Sequence, residues 1–258
     1  MSVNYSKVII AVTAAVIFAG TSARASDTDE RIEAAATKSY VYKTYLKDDN
    51  IKTDSNNGVV TLTGAVKEES HKSLAHETVA SLPGVKSVDN QIEIQGERPA
   101  QNSDGWIGTQ IKYSLLYNRH VSGLATQVAV ADGIVTLSGE AENQAQKDLA
   151  GEYAKDISGV KEVKNEMTIA KATVKPVQTL GEKIDDASIT AQVKMALMSH
   201  HSTSAFKTGV ATIDGVVTLS GKASSGAGKE MSTKVTNDVN GVTKVINNMT
   251  IEETLSKT

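Results

Sequence analysis

Hydrophobic and polar positions along the chain fall into a pattern that recurs three times. Between Gln144 and Ile157, the residues Leu149, Tyr153, Ala154 and Ile157 follow one another at steps of four, one and three, which predicts one apolar face on a helix. Beyond it Val163, Asn165, Met167 and Ile169 alternate with polar residues, the period-two signature of a strand with one buried face. Val88, Asn90, Ile92, Ile94 and Val245, Asn247, Met249, Ile251 repeat that alternation. Upstream, Ile107, Ile111 and Leu115 predict an opening helix, as do Ile189, Val193 and Leu197. In the first copy Thr37, Val41 and Tyr45 fit that face best, with a loop about five residues shorter after them. Asn57-Gly58, Asp132-Gly133 and Asp214-Gly215 lie between runs of β-branched residues and predict tight hairpin turns, because both residues tolerate positive φ. Gly139 and its counterparts are expected to end the second strand, and Gly159 to stop the second helix as a C-terminal cap. The order in each copy is helix, strand, strand, helix, strand.

Two phrases carry the repeat. Asn57-Gly58-Val59-Val60-Thr61-Leu62-Thr63-Gly64 returns as Asp132 to Gly139 and as Asp214 to Gly221, and a second phrase (Gly84-Val85, Gly159-Val160, Gly241-Val242) follows the first Gly by 26 residues each time. The copies are offset by 75 and then 82 residues, so the extra length lies outside that block. Gln95 to Ser103, with Pro99, and the longer Ala170 to Lys183, with Pro176, are the junctions. Three domains follow, at 27–96, 104–171 and 184–254.

These phrases, with the opening Trp106-Ile107-Gly108-Thr109-Gln110-Ile111-Lys112, resemble the BON domain family, named for bacterial OsmY and nodulation proteins. The likeness covers nearly all of the chain after its N-terminal segment. It implies an α+β fold, each domain with two helices on one face of a three-stranded sheet. It also implies a non-enzymatic, osmotic-stress-associated role at the cell envelope, with phospholipid surfaces as the proposed ligand and a holdase-like chaperone or scaffold for envelope proteins as the competing idea. Some relatives are outer-membrane lipoproteins in which the opening helix of a domain meets anionic lipid.

The N-terminal segment reads as a signal peptide. Lys7 precedes an apolar stretch from Val8 to Phe18, and Ala23 and Ala25 form an A-x-A site, so cleavage is expected after Ala25 and residues 1–25 are set apart from the fold. Eleven residues are too few to span a bilayer, which needs about 20. Export to the periplasm is the expectation, with no transmembrane segment after cleavage. The chain has no Cys, so neither disulfides nor a lipidated Cys enter this reading.

Composition narrows the partner. Without residues 1–25 the chain carries 25 basic and 30 acidic residues, and its single Trp and two Phe offer few stacking platforms, so nucleic acid is not expected. Residues 26–96 have 8 basic and 12 acidic side chains, residues 97–171 have 8 and 10, and residues 172–258 have 9 and 8. Contact with anionic lipid is therefore expected to be weak and to favour the second and third copies, with the linkers adding avidity.

Trp106 opens the helix of copy two where copy three has Ser188, and with Lys112 and Tyr113 it is the candidate membrane or partner contact. The five histidines, His71, His76, His120, His200 and His201, do not recur between copies and are expected to be solvated. His71 and His76 are five apart, off the i, i+4 spacing of a helical metal pair. Gly226-Ala227-Gly228-Lys229 departs from a phosphate loop at Ala223 and Glu230. Asn90, Asn165 and Asn247 are expected to satisfy backbone groups at a strand irregularity. No catalytic residue, cofactor or metal site is expected.

Overall fold

A computed structural model describes residues 27–95, 99–121, 123–170, 183–200, 203 and 208–252. The expected signal peptide with its cleavage site, residues 171–182 of the second junction and His201 lie outside the described residues.

Each copy is the expected mixed α/β unit. Copy one comprises α1 (Asp27–Lys38), α2 (Tyr40–Thr44), β1 (Asn50–Asn56), β2 (Val59–Val66), α3 (Glu69–Ala80), β3 (Ser87–Asn90) and β4 (Glu93–Ile94). Copy two comprises α4 (Asp104–Leu116), β5 (Thr126–Ala131), β6 (Ile134–Ala141), α5 (Gln144–Lys155), β7 (Glu162–Asn165) and β8 (Thr168–Ile169). Copy three comprises α6 (Asp186–Ser199), β9 (Thr208–Ile213), β10 (Val216–Ala223), α7 (Gly226–Asn237), β11 (Lys244–Asn247) and β12 (Thr250–Ile251). In every sheet the second hairpin strand is central, antiparallel to the first and parallel to the last.

The alternation along the central strand decides which face is covered. Val60, Leu62 and Val66, Val135, Leu137 and Ala141, and Val217, Leu219 and Ala223 are all buried, while the residues between them turn outward. Ile107, Ile111 and Leu115, and Ile189, Val193 and Leu197, meet that buried face from the opening helices.

The last strand breaks in two, and the repeated asparagines explain the break. Asn165 donates its amide to the Lys147 carbonyl of α5 at 2.6 Å and accepts from Met167 N at 3.3 Å. Asn90 and Asn247 do the same with Lys72 and Ile92, and with Lys229 and Met249. The amide thus stitches the strand to the helix above it and satisfies the backbone at the break. Ile92, Met167 and Met249 are thereby turned into the core.

Two glycine expectations need correcting. Each central strand continues past its glycine, with β6 ending at Ala141, because Gly139 lies where the partner strand approaches: a Cβ there would stand 2.2 Å from the Ala125 carbonyl oxygen, at φ +112°. Helix α5 ends at Lys155 with Asp156 as its cap, and Gly159 at φ +89° instead closes the following turn against Ile107, leaving a Cβ only 2.9 Å of room.

A carboxylate that did not figure in the sequence reading fixes the alignment of copy one. Asp104, in the first turn of α4, accepts the N–H groups of Asp132 and Gly133 at 2.8 Å each. Asp186 accepts those of Asp214 and Gly215, and Asp29 those of Asn57 and Gly58. The sequence separation to the first turn residue is 28 in all three copies. Copy one is therefore not shifted: Ile32 and Ala36 face its core from α1, Thr37 is exposed, and Val41 enters the same core from α2 with Tyr45 packed beside it. Helix α1 ends where the Ser39 hydroxyl donates to Ala36 O and caps the start of α2 by accepting from Tyr42 N.

No helix among the described residues is long and apolar enough to cross a membrane.

Candidate functional site

The opening helices α4 and α6 do more than cover their own sheets. Helix α6 buries Ala187, Ser188, Ala191, Gln192 and Met195 as well as Ile189, Val193 and Leu197, so most of its surface is enclosed while Met198 stays exposed. A helix apolar over most of its surface belongs in an interior. Its neighbours are α3 of copy one and α4 of copy two, and the three copies meet through these helices with each sheet on the far side. The copies are consequently packed together, and avidity through loose linkers does not describe them.

Between copies one and three the joint is polar as well as apolar. The first N–H groups of α2 lack partners in their own helix. Asp185 accepts from Tyr40 N at 2.8 Å and the Ser188 hydroxyl accepts from Val41 N at 3.1 Å. Lys194 pairs with Glu77 at 2.6 Å, and the Tyr45 hydroxyl donates to Gln192 at 3.3 Å. Rings of Tyr40, Tyr45 and Tyr117 stack edge to face in sequence, at 5.8 and 5.3 Å between centroids. Tyr117 is fully enclosed, and its burial pushes its phenol far above the usual range.

Copies two and three meet around Asn118 and Val239, which form an isolated antiparallel bridge. Arg119 N donates to Asp238 O at 2.7 Å, and the Arg119 guanidinium reaches the carbonyls of Val239 and Val242. The Tyr153 hydroxyl donates to the Asp238 carboxylate; burial first, and that carboxylate second, hold this phenol protonated far above its ordinary range.

His200, at the end of α6, completes this joint. Its Nδ1 lies 2.7 Å from Asp156 Oδ2 and its Nε2 3.1 Å from Ser114 Oγ. A carboxylate can only accept, so Nδ1 carries a proton, and Nε2 faces the serine hydroxyl. The order serine, histidine, aspartate is that of a nucleophilic triad. Ser114 nevertheless lies within α4 at 2% exposure and does not line the adjoining cleft of about 270 Å³, which is formed by Tyr153, Asp156, His200, Met231 and Lys234 among others. The three side chains join copies two and three. His200, 5% exposed, is thus not the solvated residue expected from the sequence.

The three expected contact residues are separated by the helix that carries them. Tyr113 is 5% exposed and faces copy one, its hydroxyl donating to Glu68. Lys112 is exposed to solvent. Trp106 is half-buried and packs against the core shared by copies two and three. Six residues of helix put Trp106 and Lys112 on different sides, so they form no common patch.

The sequence held a signal for this arrangement. Ala187, Ala191 and Met195 lie off the stripe of Ile189, Val193 and Leu197 and give α6 a second apolar stripe beside the first.

Comparison with known proteins agrees with the repeat. The family pattern described as the BON domain matches residues 28–96, 103–171 and 185–253. Osmotically-inducible protein Y of Escherichia coli (strain K12) is 31% identical over 143 residues, which span 54% of this chain and 71% of that one. Outer membrane lipoprotein DolP of Haemophilus influenzae is 32% identical over 163 residues, spanning 58% of this chain and 84% of that one.

Proposed function

Because the chain belongs to the BON domain family, with three copies of the domain, we propose that it is a non-enzymatic, exported protein of the cell envelope that binds phospholipid surfaces weakly under osmotic stress. Its likeness to an osmotically inducible protein and to an outer membrane lipoprotein supports the setting. The observation that carries the reading is how each copy uses its two faces. Helices α3, α4 and α6 are taken up in joining the copies, and the open faces of the three sheets are left to meet other surfaces. A face suits an extended planar partner better than a small ligand, which favours concave, largely apolar pockets.

Co-sedimentation of the chain from residue 26 onward tests this. Vesicles of phosphatidylethanolamine with phosphatidylglycerol should carry it down at low salt, and release it as salt rises past 0.15 M, where charge attraction is screened within about 8 Å. Failure to sediment at any salt rejects the proposal. A holdase-like role is the second reading, favoured by the exposed Ile213, Ile246 and Ile251. It predicts suppressed aggregation of an unfolded client in the absence of lipid.

A further inference from the structure

The three outer sheet faces are built on the same backbone but present different chemistry. Register places Asn56 beside Val59, Ala131 beside Ile134 and Ile213 beside Val216, so equivalent positions can be compared directly. The outer face of copy one carries Lys52, Asp54 and Asp89, and that of copy two Glu140, Glu162 and Lys164. Copy three has Gly209, Ala211 and Ile246 where copy one has those three charges, and Lys222 and Lys244 where copy two has its two acids. Its strands thus bring two cations and no acid to that side, around Ile213, Val216 and Ile246. Ile213 is 73% exposed and Ile246 39%. Asp214 lies beyond, in the hairpin turn, as Asp132 does in copy two, and Glu252 follows the end of β12, half-buried.

Resting on the envelope reading above, we infer that this face, the outer side of β9, β10 and β11, is where the chain lies on an anionic phospholipid surface. Apolar side chains that can enter the acyl boundary, flanked by lysines that meet headgroup phosphates, are the two components of interfacial binding. Charge selects the occupant. A second copy of the chain laid face to face on this surface would set lysines against lysines, whereas anionic headgroups complement them. Copies one and two, with acids on their corresponding faces, are repelled from the same membrane.

The chain has no Cys, which allows one dye to be placed at a time. Asn56→Cys, Ala131→Cys and Ile213→Cys put an environment-sensitive fluorophore at the same position of each sheet. With vesicles containing phosphatidylglycerol, the emission at 213 should shift to the blue while those at 56 and 131 stay fixed; phosphatidylcholine vesicles should shift none. The double variant Lys222→Glu with Lys244→Glu, both exposed, should lower vesicle binding of the unlabelled chain at least about tenfold with an unchanged circular dichroism spectrum. Trp106→Ala should leave binding within about twofold.

Equal shifts at all three positions, a shift confined to 56 or 131, or a double variant that binds like the wild type overturns the inference while leaving lipid binding itself standing. If the unlabelled wild type does not sediment with any vesicle, the envelope reading fails first and this one with it. A shift at 213 that grows with protein concentration and needs no vesicle would assign the face to a second copy instead.

Discussion

At the scale of single residues, the repeat is held by a few polar side chains that each satisfy two backbone groups. Asp29, Asp104 and Asp186 receive both N–H groups of the hairpin turn facing them. A charge-assisted bond is worth about 1.5–3 kcal/mol net, so Asp104→Ala should lower the stability of copy two by roughly 2–3 kcal/mol, measured by urea denaturation. Asn165→Ala should cost about 1–2 kcal/mol for the orphaned Met167 N and Lys147 O. Asn165→Asp should recover only the bond from Met167 N, because a carboxylate cannot donate to the Lys147 carbonyl. The asparagines were legible in the sequence because they recur within a phrase of constant spacing. The aspartates were equally regular, each 28 residues ahead of its turn and three ahead of a buried isoleucine (Ile32, Ile107, Ile189), a short signal that the stripe chosen for copy one passed over. Apolar periodicity alone then misaligned copy one, because α2 places Val41 in a core from a different helix.

At the scale of elements, the stripes predicted on α4, α5 and α6 all meet a core, but a stripe shows only one side of a helix. Helix α6 needs two further faces for copies one and two, and those faces are built of small residues that stand out little in any periodic pattern. Ala191 is fully buried among side chains of copy one. Ala191→Arg should detach copy one from the other two without unfolding it, seen as a larger radius of gyration by small-angle scattering. The same joint holds Tyr45, Tyr113 and Tyr117, and Tyr153 lies in the neighbouring one. Burial raises the pKa of all four. In the unfolded chain they ionise near the ordinary value of about 10. The stabilisation tied to their neutral form is therefore complete below about pH 10 and is lost as pH rises above it. Absorbance of tyrosinate at 295 nm should lag behind a free-tyrosine titration and then rise together with loss of the folded signal. A titration that follows free tyrosine throughout would contradict the buried joints.

At the scale of the whole molecule, the sequence made three domains visible but not their mutual packing, since the contacts that join them are made by residues unlike one another. Ser188 stands where copy two has Trp106, and Met195 where it has Tyr113. Divergence between otherwise matched positions is what a repeat needs in order to form an asymmetric assembly. The same divergence distinguishes the outer faces and leaves copy three the one suited to an anionic surface. Hydrogen exchange of the whole chain, with and without phosphatidylglycerol-containing vesicles, tests that claim most directly. The account predicts added protection in β9 and its hairpin turn, with β1 and β5 unchanged. Protection gained along α4 while β9 exchanges as before, or no change anywhere in the chain, would contradict it.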